Sequence, residues 1–254
     1  MRRETMRLIV TRFLVLAAFA WIFTVPASAL TLSDIETAVR RNIRDTSSTA
    51  AQQRYTDTVL DAIINEGQRE VVNFTWCVQT STSRVLSSQT TYYSLPTDLI
   101  SIEMVTFRDS TNQTIELDEY SEAKAYSEEG DFERSSSGAP DHYFVRYSTS
   151  GGNALEIAYL PVPTTSSTGT VRVLYNVQAT DLSSDSDVPF DGLNHLYQYH
   201  VTLVYYATYR IKLMEGMADE AALYIKLYEA AIATMKDRLG RAPNYSPNVK
   251  AAPR

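Results

Sequence analysis

The sequence predicts an α+β fold: an N-terminal helical hairpin, an inserted small antiparallel β-sandwich or barrel, a long C-terminal helical hairpin, and an extended C-terminal arm. Three observations carry this expectation. Apolar residues recur at three- and four-residue spacing over residues 32–74 and 193–239, the period of helices that bury one face. Over residues 77–177 the period falls to two, in short runs broken by Pro96, Pro140, Pro161, Pro163 and Gly151-Gly152. Beyond Leu239 no apolar period remains, and Pro243, Pro247 and Pro253 interrupt the chain. The expected domains are a helical bundle of residues 30–76 and 190–239, an inserted β domain of residues 77–189, and an arm of residues 240–254.

Residues 1–29 stand apart. Arg2, Arg3, Arg7 and Arg12 form a basic start, residues 13–25 an apolar run too short for a comfortable membrane span, and Ala27-Ser28-Ala29 a cleavage pattern. One reading is a secretory signal whose removal would take the net charge from −7 to −10. The other is a reading frame opened too far upstream, since Leu30 and Leu32 can each stand for an alternative start. Pattern strength alone favours export.

Ser33 and Glu36 have capping-box spacing, which starts the first helix near Ser33, with Leu32, Ile35, Val39 and Ile43 on one face. A Ser/Thr/Gln-rich connection over residues 45–53 leads to a second helix near Thr56. Its stripe is Val59, Leu60, Ile63, Ile64, Gly67, Val71 and Val72. Two short-linked amphipathic helices pack as a hairpin.

Short strands are expected at residues 85–86, 92–95, 100–107, 114–117, 143–147, 155–160 and 171–177, the number that builds a small sandwich or barrel. Residues 120–126 suit a short helix and residues 128–137 a mobile loop. Leu193, Leu196, His200, Leu203, Ala207, Ile211 and Met214 then mark a third long helix. A turn at residues 215–219 holds Gly216, and Ala221, Ile225, Tyr228, Ile232, Met235 and Leu239 mark the fourth.

Candidate chemistry is sparse. Tyr is abundant, 17 against 8 Phe and 2 Trp, and it suits half-wet interfaces as well as cores. A charge of −7 argues against general nucleic-acid binding, which relies on Lys and Arg to neutralise phosphates. Acid gathers over residues 116–133, either as solvated surface or as a wall past which DNA would slide. Cys77 is the one cysteine, so no intrachain disulfide forms, and it reads as a small core residue. His195 and His200 are five apart and do not share a face as a metal pair would, so they read as core or interface residues. Asp181, Asp185, Asp187 and Asp191 read as a turn-forming linker, because no Gly or closing Glu completes a calcium loop. No nucleophile elbow, phosphate loop or dinucleotide fingerprint is present. No catalytic, metal or cofactor site is expected, and the chain reads as an assembly part.

The segment Tyr93-Ser94-Leu95-Pro96-Thr97-Asp98-Leu99-Ile100-Ser101-Ile102-Glu103-Met104-Val105 is strand, turn and strand without a spacer. Before it stands Ala62-Ile63-Ile64-Asn65-Glu66-Gly67-Gln68-Arg69-Glu70, closed by Trp76. After it come Gly138-Ala139-Pro140 with Tyr143, Ile157-Ala158-Tyr159-Leu160-Pro161-Val162-Pro163, Asp181-Leu182, Pro189, and a helix with Tyr199, His200, Tyr205, Tyr206 and Ala207. This ordered succession resembles the bacteriophage head-to-tail adaptor (connector) proteins, similar to the tail tubular A-type and gatekeeper proteins of short-tailed phages. The resemblance implies a virion protein at the head–tail junction, assembled in the host cytoplasm as a ring of about twelve copies. The implied partners are its own copies, the portal protein, a tail or nozzle protein, and genomic DNA crossing the lumen without sequence-specific contact. No membrane is implied for the mature form. Inter-subunit packing would fall to Tyr199, Leu203, Tyr206, Ile225, Tyr228 and Ile232, and portal binding to Pro243, Tyr245, Pro247 and Lys250 of the arm. Residues 1–29 depart from the pattern and keep a second class in play, an exported envelope or periplasmic binding protein, periplasmic or secreted.

Overall fold

The computed structural model describes residues 29–47, 49–87, 90–129, 138–148, 154–163 and 169–241. They form two compact units. One holds the residues up to Ile64 with Leu182–Ala231, and the other Asn65–Asp181 with the residues from Ile232. The signal-like segment up to residue 28 and the arm from residue 242 lie outside the described residues, as do residues 130–137 of the expected loop and Gly151-Gly152.

In the first unit, helix α1 (Leu32–Ile43) buries Leu32, Ile35, Val39 and Ile43, the face that the sequence predicts. Each such side chain contributes about 1.5–3 kcal/mol by leaving water. Its cap differs from expectation by two residues. Thr31 Oγ1 accepts from the Asp34 amide at 3.3 Å, and Asp34 Oδ2 accepts from the Thr31 amide at 3.0 Å. Two overlapping Thr/Ser-x-x-acid patterns occur here, and the acidic linker decides between them. Leu32 N donates to Asp187 O and Ser33 N to Asp185 O, which satisfies first-turn amides and lets the helix begin at Leu32. The linker holds its own shape through Asp187, whose carboxylate accepts from the amides of Ser183 at 2.7 Å and Ser184 at 2.8 Å.

Helix α2 (Asp57–Thr75) begins in the first unit and ends in the second. Its stripe is buried at Leu60, Ile63, Ile64, Val71 and Val72, whereas Val59 is exposed. Residues 190–199 wind as short 3-10 turns, Phe190–Gly192 and Asn194–Tyr199, so the third long helix, α4, begins at Val201 and not near Leu193. The cause is local: Phe190 and Asp191 hold left-handed φ values of 55° and 54°, which no α-helix continues. Within α4 (Val201–Met214) and its approach, Leu196, His200, Leu203, Ala207 and Ile211 are buried at the predicted spacing. α1 packs on α4, and Asn42 Nδ2 donates to Thr208 Oγ1 at 3.2 Å. Gly216 turns the chain at φ +74° into α5 (Ala218–Arg241), which, like α2, ends in the second unit.

The second unit is built on two four-stranded sheets. One has the order β1-β8-β3-β4: β1 (Gln79–Val85), β8 (Thr170–Val177), β3 (Leu99–Arg108) and β4 (Thr114–Glu116). The other has the order β2-β7-β6-β5: β2 (Tyr92–Ser94), β7 (Leu155–Leu160), β6 (His142–Tyr147) and β5 (Asp118–Glu119). All pairings are antiparallel except β5 with β6. The predicted sandwich is therefore present as two separate sheets. They meet where the Arg84 guanidinium of β1 lies 5.4 Å from the ring of Tyr93 in β2, which itself packs tilted against Tyr159 of its own sheet at 5.5 Å between centroids.

The other face of the second sheet is covered by α3 (Glu122–Glu129), which starts two residues and ends three residues after the expected 120–126. Ala125 packs there with Phe144, Ala158, Leu160 and Val162. Burial on both faces explains why Ile157-Ala158-Tyr159-Leu160 is continuously apolar. Gly169 admits a close approach, since a Cβ there would lie 2.4 Å from the Arg108 carbonyl and 2.5 Å from the Phe107 ring. β1 is longer than expected because its residues are mostly polar and exposed. The ladder to β8 holds it, not a buried face.

Candidate functional site

The fragments that carry the adaptor resemblance are far apart in sequence, and within the second unit the fold brings several together. Gln68 Nε2 donates to Thr180 O at 2.8 Å, and Arg69 Nη1 reaches both Asp181 carboxylate oxygens at 2.7 and 2.8 Å. Both partners of that ion pair are substantially exposed, so it contributes about 1 kcal/mol at most. Gly138 N donates to Val162 O at 3.2 Å, and Asp141 N to Leu160 O at 2.8 Å, which lays the Gly-Ala-Pro fragment along the end of β7. In the long central segment, the turn Pro96-Thr97-Asp98 carries the chain from β2 in one sheet to β3 in the other. Asp98 O accepts from Gln178 N at 2.9 Å and fixes that crossing to the end of β8.

The six residues expected at a subunit interface sit mostly inside the chain. Tyr199, Leu203, Tyr206, Tyr228 and Ile232 are buried, and Ile225 is half-buried. Tyr206 packs on Tyr228 at 5.4 Å between centroids, joining α4 to α5 within the first unit. The apolar surface of this hairpin lies elsewhere, at Leu213, Met214, Met217, Leu223 and Leu227, all exposed. Periodicity finds the buried stripe; it gave no sign of this outer set. Beneath the turn, buried Lys212 pairs with Glu220 at 2.9 Å. The expected arm residues Pro243, Tyr245, Pro247 and Lys250 lie outside the described residues.

The connection from α1 to α2 is pinned. Arg40 is buried and its guanidinium reaches Asp45 at 3.3 Å, Tyr55 O at 2.9 Å and Asp57 at 2.5 Å. Asp45, also buried, accepts from the amides of Arg54 and Tyr55. Arg54 in turn pairs with Glu215 at the α4–α5 turn. A stretch that reads as a loose polar linker is thus tied down at both ends.

Among the groups whose titration is shifted, His200 and Glu36 lie in the helical first unit, and both are structural. His200 is fully buried, with Nδ1 3.1 Å from both the amide and the carbonyl of Leu30. Burial pushes its pKa down to about 4, against a smaller opposing effect of the Leu30 bond, so the ring is neutral near pH 7. His195 is exposed. Glu36 of α1 is pushed up to about 8, first by burial, then by a hydrogen bond and repulsion from Asp61 of α2.

That second shift has a testable sign. The folded chain holds the Glu36 proton from about 4.5 up to about 8, so the stability of the protonated pair is complete at low pH and is lost as pH rises through 8. Glu36→Gln keeps a donor facing Asp61 with no proton to lose. It should change little near pH 4.5 and stabilise the fold by about 1–2 kcal/mol above pH 8, discounted for partial exposure. Urea midpoints at the two pH values check this, and an equal shift at both would refute the pairing.

Among the described residues no group of three or more His, Cys, Asp or Glu is placed to hold a metal ion. None of the described helices is long and apolar enough to cross a membrane. A groove of about 260 Å³ opens between the sheets, lined by Thr82, Arg84, Ser94, Leu95, Tyr159 and Val173 among others, and it offers no acid–base pair. The site that the fold presents is a set of surfaces: the exposed apolar residues of the α4–α5 hairpin, and the acidic edge at Glu116, Asp118 and Glu119.

No curated protein matches the chain. A protein-family model described as SU10 adaptor protein matches residues 30–251, beginning where the signal-like segment ends. With the match covering nearly the whole described fold, the chain belongs to the SU10 adaptor protein family.

Proposed function

We propose that the chain is a non-enzymatic head–tail connector subunit, a structural virion protein that forms a closed ring of about twelve copies between portal and tail and continues the DNA channel. The observation that carries this reading is the adaptor-family match over residues 30–251. It favours a part of the particle over an exported binding protein. The finer likeness to tail tubular A-type and gatekeeper proteins belongs to the same proposal.

In this reading, residues 30–76 and 190–239 act as the helical body and residues 77–189 as an inserted β domain that faces the tail. A ring needs two different complementary surfaces per subunit. The α4–α5 hairpin supplies one through Leu213, Met214, Met217, Leu223 and Leu227, above the seam formed by Tyr199, Leu203, Tyr206, Ile225, Tyr228 and Ile232. The exposed acids Glu116, Asp118 and Glu119 suit a lumen wall that repels phosphates, so DNA passes without being held. The arm, with Pro243, Tyr245, Pro247 and Lys250, reaches the portal.

Mass spectrometry of purified particles tests the function: the protein should be present at about twelve copies per virion. Its absence would end the proposal. Truncation after Leu239 should leave a folded monomer that binds the portal at least about tenfold more weakly. Unchanged portal association, measured by co-sedimentation, would remove the arm from the interface.

A further inference from the structure

We infer that Phe74 and Trp76, at the end of α2, form the docking platform for the chain's own C-terminal segment, residues 242–254. Two observations single out the platform. Phe74 is 54% exposed and Trp76 52% exposed, two large aromatic side chains two positions apart at one helix end. Trp76 also ends the helix in the left-handed region at φ 51°, its amide donating to Val72 O at 2.8 Å. Gly or Asn is the usual residue at such a cap, and an L side chain there costs about 1 kcal/mol. An exposed indole held on a strained backbone points to a surface kept for contact.

The occupant follows from where the chain goes next. The last turns of α5 come within a lysine side chain's reach of Phe74, with Lys236 Nζ 5.4 Å from the Phe74 ring centroid. α5 ends at Arg241, only about 7–8 Å further along the helix at 1.5 Å per residue. Residues 242–254 are joined to that helix end, and an extended chain of this length reaches back over the remaining distance to Phe74 and Trp76.

The segment has matching chemistry. Pro243, Pro247 and Pro253 favour an extended polyproline conformation, which docks in aromatic-lined surfaces with little entropy to lose. Tyr245 adds a ring to stack, and Lys250 and Arg254 are cations suited to an indole face, with no acid among the thirteen. Tethering decides between this tail and that of another copy. A short linker holds its end at an effective concentration of about 1 mM, far above that of free subunits. The family match extends to residue 251, so most of the segment lies within the shared region. The docking belongs to the free subunit, before a portal takes up the arm, and it does not depend on the connector reading.

The full chain carrying Trp21→Phe has Trp76 as its one tryptophan, so acrylamide quenching reads the platform directly. Truncating this variant after Arg241, or replacing Pro243, Tyr245 and Pro247 with Ala in the full chain, should raise the quenching constant about twofold as the indole is uncovered. Helical circular dichroism should stay unchanged in both. Equal quenching in all three proteins would overturn the proposal. Protection that grows with protein concentration would also overturn it, by assigning the platform to the tail of a second copy. Portal binding by the same variants is a separate readout.

Discussion

Replacing Arg40 with Ala should destabilise the first unit by about 3–5 kcal/mol, the range for removing one partner of a buried ion pair. The loss is larger than a surface pair would give, because Asp45 stays buried in the empty site. Tyr55 O loses its donor as well. The amides of Arg54 and Tyr55 still hold Asp45, but they do not neutralise it. Urea unfolding followed by helical circular dichroism measures the effect. The double variant Arg40→Met with Asp45→Asn should recover much of the loss, since no uncompensated charge remains. A cost under about 1 kcal/mol for Arg40→Ala would mean that water screens the cluster.

Phe144→Ala should cost about 3–5 kcal/mol in the second unit. The ring is fully buried among Ala125, Ala158, Leu160 and Val162, and it meets Tyr92 edge to face at 6.4 Å. Ala125 and Ala158 are too short to fill the cavity, so little relaxation is available. α3 rests on this cluster through Ala125, and the substitution should loosen it first. Two units make a single transition unsafe to assume. The expected result, in the Trp21→Phe background, is that the Trp76 signal, reporting the second unit, shifts to lower urea while helical circular dichroism splits into two steps. A single unshifted transition would show that Phe144 is not the keystone of its sheet.

How much could be read from the sequence depended on what each residue buries. α1 was legible because Leu32, Ile35, Val39 and Ile43 are all core, and β7 because its apolar run is covered on both faces. β1 was read only at its end, since Gln79, Thr80, Ser81 and Ser83 bury nothing and are held by hydrogen bonds to a strand far downstream. The start of α4 is misplaced because Leu196 within the 3-10 turn and His200 at its cap keep helical spacing, which periodicity does not separate from an α-helix. The Arg40–Asp45 pair was missed because buried charge has no pattern in a single sequence. Of the candidate surface, the tyrosines were legible as apolar positions but not as intrachain packing. The exposed Leu and Met residues follow no stripe that would set them apart.

The polar edge strand also bears on how the protein comes into being. β1 pairs only with β8, with Gln79 opposite Asn176 about a hundred residues later, so this sheet is rich in long-range contacts and slow to close. On the ribosome β1 emerges well before its partner exists. A strand left waiting in this way is an aggregation hazard if it is apolar. Gln, Thr and Ser in β1 make the wait harmless: the segment stays hydrated until β8 arrives and zips along it.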